Sequence, residues 1–301
     1  METSAAELAR RAQHATPETG QGEWFRCASG TDGTAYLTWP GMLDAAVDAQ
    51  GARVELVSRA DGGRAAFQNY LLAQVLSFPL IRRGLEPLHA TTVATPFGAL
   101  GLLGDSGAGK STLAAGLVGE GARLSADDLL ALRIKDDVIQ VFSGPPVLKL
   151  TPHTAAHVLA SELPSQPMHR FTRKRAYTLP GHWHASEPAE LRALFVLEPA
   201  PPPAGQALSL APLTGKEAVR RLLHHTFNPL LTTPQRLQRQ LELYGRIAAQ
   251  VPIVALRVRR DKKLLPVVAR ALLEQLTRLQ QPLRDQAERA DHVIERKERI
   301  G

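Results

Sequence analysis

Residues 98–112 read Gly-Ala-Leu-Gly-Leu-Leu-Gly-Asp-Ser-Gly-Ala-Gly-Lys-Ser-Thr. From Gly104 to Thr112 this stretch matches the phosphate-loop pattern G-x-x-x-x-G-K-[ST] in full. Gly104, Gly107 and Gly109 let the backbone turn tightly and aim its N–H groups inward, with Asp105, Ser106 and Ala108 at the positions between them. Lys110 brings a point charge to the outer phosphates, and the Ser111 hydroxyl, followed by Thr112, can join the coordination sphere of Mg²⁺. Gly98–Leu103 is an apolar run fit for a buried strand, and Leu113 to Val118 opens a helix whose N-terminus faces the phosphates. With a strand before it and a helix after it, a chance glycine-rich turn is the weaker reading. The loop predicts binding of ATP or GTP.

Immediately upstream, Leu88 to Thr95 is a second strand candidate, separated from Gly98 by little more than Pro96-Phe97. A gap that short permits a hairpin but no parallel crossover. The strand feeding the loop therefore gains an antiparallel neighbour, unlike a plain alternating β-α-β chain. If the turn centres between Thr95 and Gly98, position 89 lies opposite position 104, which puts His89 at the phosphate end of the hairpin.

A chain of 301 residues can bury one large core or two, and 44% hydrophobic with 22% charged residues is ordinary for a globular protein. No run approaches 18 apolar residues, so no membrane span is expected. The N-terminus carries acids early and lacks an apolar segment, so no secretory signal is expected. Cys27 stands alone, which excludes an internal disulfide and suits a reducing cytoplasm. The formal charge of +7 has little aromatic interleaving, so no nucleic-acid groove is signalled. A nucleotide site and an acidic peptide partner account for it equally well.

The fold expected is α/β. Residues 1–84 form a small α+β lobe, and 85–301 form a phosphate-loop core with a mixed sheet and C-terminal helices. Residues 1 to about 22 read as a frayed start. Tyr36–Trp39 and Arg53–Val57 read as strands, and Ala65 to Ile81 as a helix. Further on, Val138–Phe142, Val147–Leu150 and Leu194–Leu197 are strands, Asp136-Asp137 is a turn, and 151–190 is loop with a short helix. Helices are expected at 216–228, 234–250 and 264–279, with a strand at Ile253–Val258. The charged tail from Arg284 reads as a solvated helix.

A nucleotide loop alone names a ligand. The second element is Asp127-Asp128, about 17 residues after Lys110 at the end of a predicted strand. Phosphoryl transfer to a hydroxyl needs a carboxylate to hold Mg²⁺ and often another to orient or deprotonate the nucleophile. An arbitrary Asp-Asp is more often a cap or turn pair, but this position, next after the loop helix, favours the chemical role.

His89, Gly104–Thr112 and Leu124-Ser-Ala-Asp-Asp128 together resemble the HPr serine kinase/phosphorylase family, whose core is of the phosphoenolpyruvate-carboxykinase type. The resemblance is strongest over residues 85–150. Within the family the chain is most similar to proteins associated with lasso-peptide biosynthesis that phosphorylate the C-terminal serine of a precursor peptide. The resemblance implies ATP with Mg²⁺, a peptide or protein substrate with an acceptor serine, Asp127 as base, Asp128 and Ser111 on the metal, and His89 near the γ-phosphate. Two features depart from the family. Thr112 stands where the HPr kinases have Glu, and their C-terminal signature has no counterpart here, which argues against HPr as the acceptor and against phosphorolysis.

Two other functions fit the same loop: a kinase of a small-molecule hydroxyl, with 151–190 as its lid, and an ATPase switch without a phosphorylated acceptor. An ABC-type ATPase is disfavoured because no L-S-G-G-Q run occurs. Residues 169–175 concentrate four Lys/Arg cations, which would grip an anion or simply be solvated. Lys149 would touch phosphate or cap a strand. His153 and His157 have zinc-helix spacing without the adjoining Glu, and His182, His184, His224 and His225 are scattered, so a zinc site is the minority reading. A homo-oligomer is compatible with the sequence, which does not specify one.

Overall fold

A computed structural model of the chain describes residues 4–17, 25–58, 74–159, 162–168, 172–228 and 233–279. The first element is a helix, Ala5–Ala12, where the sequence suggested a frayed start. Ser4 caps it by accepting from the Glu7 N–H, and Leu8 is buried against Tyr36 and Ala46, so local capping and one apolar anchor hold the turn. Strands β1 (Thr16–Pro17), β2 (Arg26–Ser29), β3 (Ala35–Trp39), β4 (Leu43–Val47) and β5 (Val54–Ser58) then form an antiparallel meander in sequence order. Helix Leu76–Arg82 covers it. Phe78 and Val75 pack with Phe25 and Trp39, whose rings lie 4.7 Å apart. The expected start of this helix, from Ala65, lies outside the described residues except for 74 onward.

Strands β6 (Ala90–Thr95) and β7 (Gly98–Leu103) make the expected hairpin, with Thr95 opposite Gly98 and Ala90 opposite Leu103. After helix Lys110–Gly119 come β8 (Arg123–Ala126), β9 (Leu132–Lys135), β10 (Val138–Val141) and β11 (Val147–Leu150). The β9–β10 turn is Asp136-Asp137, both at positive φ. Residues 151–190 hold more structure than a loop. Helix Pro152–Val158 is followed by β12 (Ser165–Pro167) and β13 (Arg175–Thr178), and a small antiparallel sheet runs β11-β13-β12, with β13 in the centre. These strands are short and polar, so their hydrophobic alternation is too weak to mark them.

Next are β14 (Ala189–Leu197), β15 (Leu208–Leu213), which the sequence did not announce, and β16 (Ile253–Val258). The main sheet among the described residues runs β15-β16-β14-β7-β6-β8, with β9 and β10 attached through β14. It is mixed: β14 is parallel to β7 and β16, while β6 is antiparallel to β7 and β8. Helices Gly215–His224 and Pro234–Gln250 and a helix over 265–279 complete it. The first ends at His224 rather than the expected 228. The tail from Arg284 lies outside the described residues.

Alternation along β7 builds both layers. Leu100 and Leu102 face the loop helix, with Leu113, Leu117 and Phe195. Ala99 and Leu103 face the other way, toward Leu194, Tyr244 and Ile247. Gly101 stands opposite Leu194 on the adjacent strand β14, where a Cβ would lie 2.5 Å from the Leu194 side chain. Among the described residues no helix is long and apolar enough to cross a membrane.

Candidate active site

The phosphate loop leaves β7 at Leu103 and enters its helix at Lys110. Gly109 caps that helix with φ 106°, a conformation in which L side chains are strained, and this lets the loop close on itself before the helix begins. Lys110 is 6% exposed, and its ammonium donates to the Gly104 carbonyl at 2.6 Å and the Asp105 carbonyl at 3.2 Å. Burial lowers its pKa, an effect opposed by Asp128 and Asp127.

His89 lies where the hairpin register puts it. Its Nε2 is 3.1 Å from the Lys110 ammonium, and its Nδ1–H donates to the Asp128 carbonyl at 3.2 Å. Lys110 can only donate, so this pairing calls for the neutral tautomer with a free Nε2 lone pair. Burial, then the Lys110 charge, pushes the His89 pKa down, which agrees with a neutral ring.

The backbone around His89 is braced on both sides. Leu88 exchanges two hydrogen bonds with Leu130, the His89 N–H donates to the His225 carbonyl at 2.7 Å, and the Phe227 N–H donates to Pro87. Behind this segment Glu86 and Arg236, 1% and 2% exposed, form a buried ion pair at 3.0 Å. The same guanidinium donates to the Phe227 and Asn228 carbonyls, and Gln240 donates to Glu86, so the pair has its polar neighbours satisfied.

The acid pair follows β8, and its two members point to different partners. Asp127 is sequestered: its Oδ1 accepts from Ser111 Oγ at 2.9 Å and Thr91 Oγ1 at 2.7 Å, and its Oδ2 accepts from the Lys149 N–H at 2.8 Å. Burial, then repulsion from Asp128, pushes its pKa up. Asp128 adopts φ 75°, a left-handed conformation that Asp tolerates better than most residues, and its side chain meets the Lys149 ammonium at 2.5 Å. Burial alone would raise the Asp128 carboxyl, but Lys149, by charge and hydrogen bond, holds it below the usual carboxylate range.

Lys110, Ser111, Thr112, Ser106, Gly107, Gly109, His89 and Asp128 all line one cavity of about 600 Å³, together with Lys149 and, from the β12–β13 region, Met168, Thr172 and Lys174. Gly104, Asp105, Ala108 and Asp127 lie outside that lining. The basic segment 169–175 is described only from Thr172. On the far side of the loop, Gly107–Gly109 and Thr112 border a second pocket of about 200 Å³, walled by Leu113, Leu197, Val258 and Leu265 and rimmed by Arg259, Arg260 and Asp261.

Sequence reasoning missed Thr91 altogether and gave Lys149 no definite role. Thr91 was within reach of the hairpin register, since it stands two residues after His89 on the same face. Nothing in the sequence tied Lys149 to the acids 21 and 22 positions before it. The 259–262 loop after β16 carries no motif.

No protein-family model matches the chain, and no curated protein does. Among solved structures the chain is similar to the Hpr(Ser) kinase/phosphatase from Coxiella burnetii, at 14% identity, with 67% of this chain and 98% of that one covered and a TM-score of 0.36.

Proposed function

We propose that the chain is an ATP- and Mg²⁺-dependent kinase that transfers the γ-phosphoryl group to a serine hydroxyl of a peptide or protein. The observation that carries this reading is the meeting of a phosphate loop, a carboxylate hydrogen-bonded to its Ser111, and a second carboxylate that lines the loop's cavity beside Lys149 and His89. A loop that only switched on hydrolysis would need no second, acceptor-side carboxylate held in this way.

The donor set fits Mg²⁺. Ser111 Oγ and the Asp127 carboxylate already touch, and hard oxygen donors are what that ion takes. Ser111 and Asp127 would hold it, and when bound it neutralises charge on the β- and γ-phosphates. The acids thus divide their work in the reverse of the order expected from the resemblance. Asp127 is the metal-side carboxylate, because it is bonded to Ser111 and closed off from the cavity. Asp128 is the base, because it lines the cavity. In transfer, the acceptor oxygen forms its bond to the γ-phosphorus as the bond to the β–γ bridging oxygen breaks. ADP leaves, and the hydroxyl proton passes to Asp128. Lys110 stabilises the transferring group, and the neutral His89 keeps that ammonium directed between ring and loop. The apolar pocket beyond Thr112 receives base and ribose, since the loop wraps the phosphates in between.

Lys149 and Lys174 on the acceptor side suit an acceptor that carries an anionic group close to its hydroxyl. A peptide ending in serine has one, and the resemblance to lasso-precursor kinases points the same way. The test is mass spectrometry of a lasso-type precursor ending in serine, and of the same peptide ending in alanine, after incubation with ATP and Mg²⁺. One added phosphate on the serine peptide alone is expected. Consumption of ATP without a phosphopeptide would overturn the peptide acceptor and favour a small-molecule hydroxyl or a switch.

A further inference from the structure

Three side chains outside the phosphate cavity converge where none of the chemistry above uses them. Asp105 is the second residue of the phosphate loop, His224 ends helix Gly215–His224, and His225 is its cap. Each offers one ligand atom, and all three atoms lie within 4.8 Å of one another. His224 Nε2 is 3.0 Å from Asp105 Oδ1, and the two imidazoles stand edge to face at 76° with centroids 4.8 Å apart. None of the three lines the cavity that holds Lys110 and Asp128.

An ordinary surface hydrogen bond between His224 and Asp105, whose side chains are 57% and 76% exposed, accounts for two of these groups. It does not account for the third. His225 is 5% exposed, and no hydrogen bond reaches its ring from any described residue. A neutral imidazole keeps one nitrogen lone pair, which a cation placed among the three groups can take up.

We propose that Asp105, His224 and His225 form a binding site for a borderline divalent transition ion, Zn²⁺ being representative, distinct from the Mg²⁺ position at Ser111. Two imidazole nitrogens and one carboxylate oxygen are the donors such ions prefer over Mg²⁺ or Ca²⁺. Tetrahedral coordination with bonds near 2.1 Å places ligand atoms about 3.4 Å apart. The spread of up to 4.8 Å closes by rotation of the two exposed side chains onto the fixed, buried one. The fourth position stays open to water or an anion. An ion here ties the start of the phosphate loop to the residue whose carbonyl holds the His89 backbone.

The experiment is a titration of tag-free protein with Co²⁺, followed by its visible absorption, and then displacement by Zn²⁺ in the presence of millimolar Mg²⁺. One equivalent is expected to bind, with bands that Zn²⁺ removes and Mg²⁺ does not. Losing an outer-shell partner already costs about 10–100-fold in metal affinity, so His224→Ala and Asp105→Asn should each cost at least that much. His224 is exposed, so its variant keeps the test valid even if His225→Ala does not fold. The His153/His157 pair, with rings 4.6 Å apart, supplies the control. His153→Ala/His157→Ala should bind Co²⁺ as the parent does. Absent binding in the parent, unchanged affinity in His224→Ala, or loss in the His153/His157 variant would each overturn the assignment.

Discussion

The phosphate loop divides two cavities of opposite character. On one side about 600 Å³ is lined by Lys110, Lys149, Asp128 and His89, each held by another polar group; on the other, about 200 Å³ is walled by Leu113, Leu197, Val258 and Leu265. Burial acts differently on the two. Apolar contacts are non-directional, and removing one costs in proportion to the area lost. Buried charges act in pairs, so deleting one leaves the other uncompensated, and the loss exceeds the worth of the contact. The polar side should therefore be brittle and the apolar side forgiving.

The largest effect is expected at the carboxylate assigned as base in the proposed transfer. Asp128→Asn should lower phosphoryl transfer about 10²–10⁴-fold, the range for a lost general base, with ATP affinity changed no more than a few-fold. Asp127→Asn should instead raise the Mg²⁺ concentration needed for half-maximal rate. Measuring rate against Mg²⁺ and ATP for both variants separates the roles, and the opposite pattern would restore Asp127 as base.

Behind that side, Glu86→Gln should cost about 3–5 kcal/mol in urea unfolding, because Arg236 is left charged at 2% exposure. Glu86→Leu/Arg236→Met should recover only part of this, since the Phe227 and Asn228 carbonyls also lose their donor. Complete recovery would show that the guanidinium's backbone contacts contribute nothing.

On the apolar side a smaller change is expected. Leu265→Ala should raise the KM for ATP up to about tenfold with kcat nearly constant, as expected when binding is lost equally from ground and transition states. A drop in kcat of the same size would mean the pocket orients the phosphates as well.

The smallest effect is the pH dependence. Because the folded pKa of His89 lies below its ordinary 6.5, the unfolded chain takes up a proton near that value before the folded one does. Its contribution to stability is fully present above pH 6.5 and is lost as pH falls through the folded value. The thermal midpoint of His89→Asn should decline less between pH 7 and 5 than that of the parent.

Much of the polar side was legible because short-range rules govern it. The loop residues Gly104–Thr112 belong to one motif, and the two-residue gap at Pro96-Phe97 fixed a hairpin register that carries His89 to Lys110. The acid pair was legible from its place after a strand. Which of the two acids meets Ser111 and which meets Lys149 was not, because it depends on the left-handed backbone at Asp128, which sends that side chain to Lys149 while Asp127 stays on Ser111. The strands at 165–167 and 175–178 escaped for a different reason: the second pairs with β11 and the first pairs only with the second, while their own composition is polar and turn-like.

Local sequence rules therefore specified the phosphate-loop motif, the antiparallel neighbour of its strand, and the acid pair that follows the loop helix. Each rests on contacts within a few residues or on a backbone gap too short for any other connection. Tertiary structure alone decided what lies against that loop. The Lys149 ammonium on Asp128, the Glu86–Arg236 pair behind His89, the apolar pocket ending at Leu265, and the meeting of Asp105 with His224 and His225 join positions that are 21 or more residues apart in sequence. No local propensity encodes such pairings. They follow from the order of strands in the mixed sheet and from the requirement that charges buried at its edge find one another.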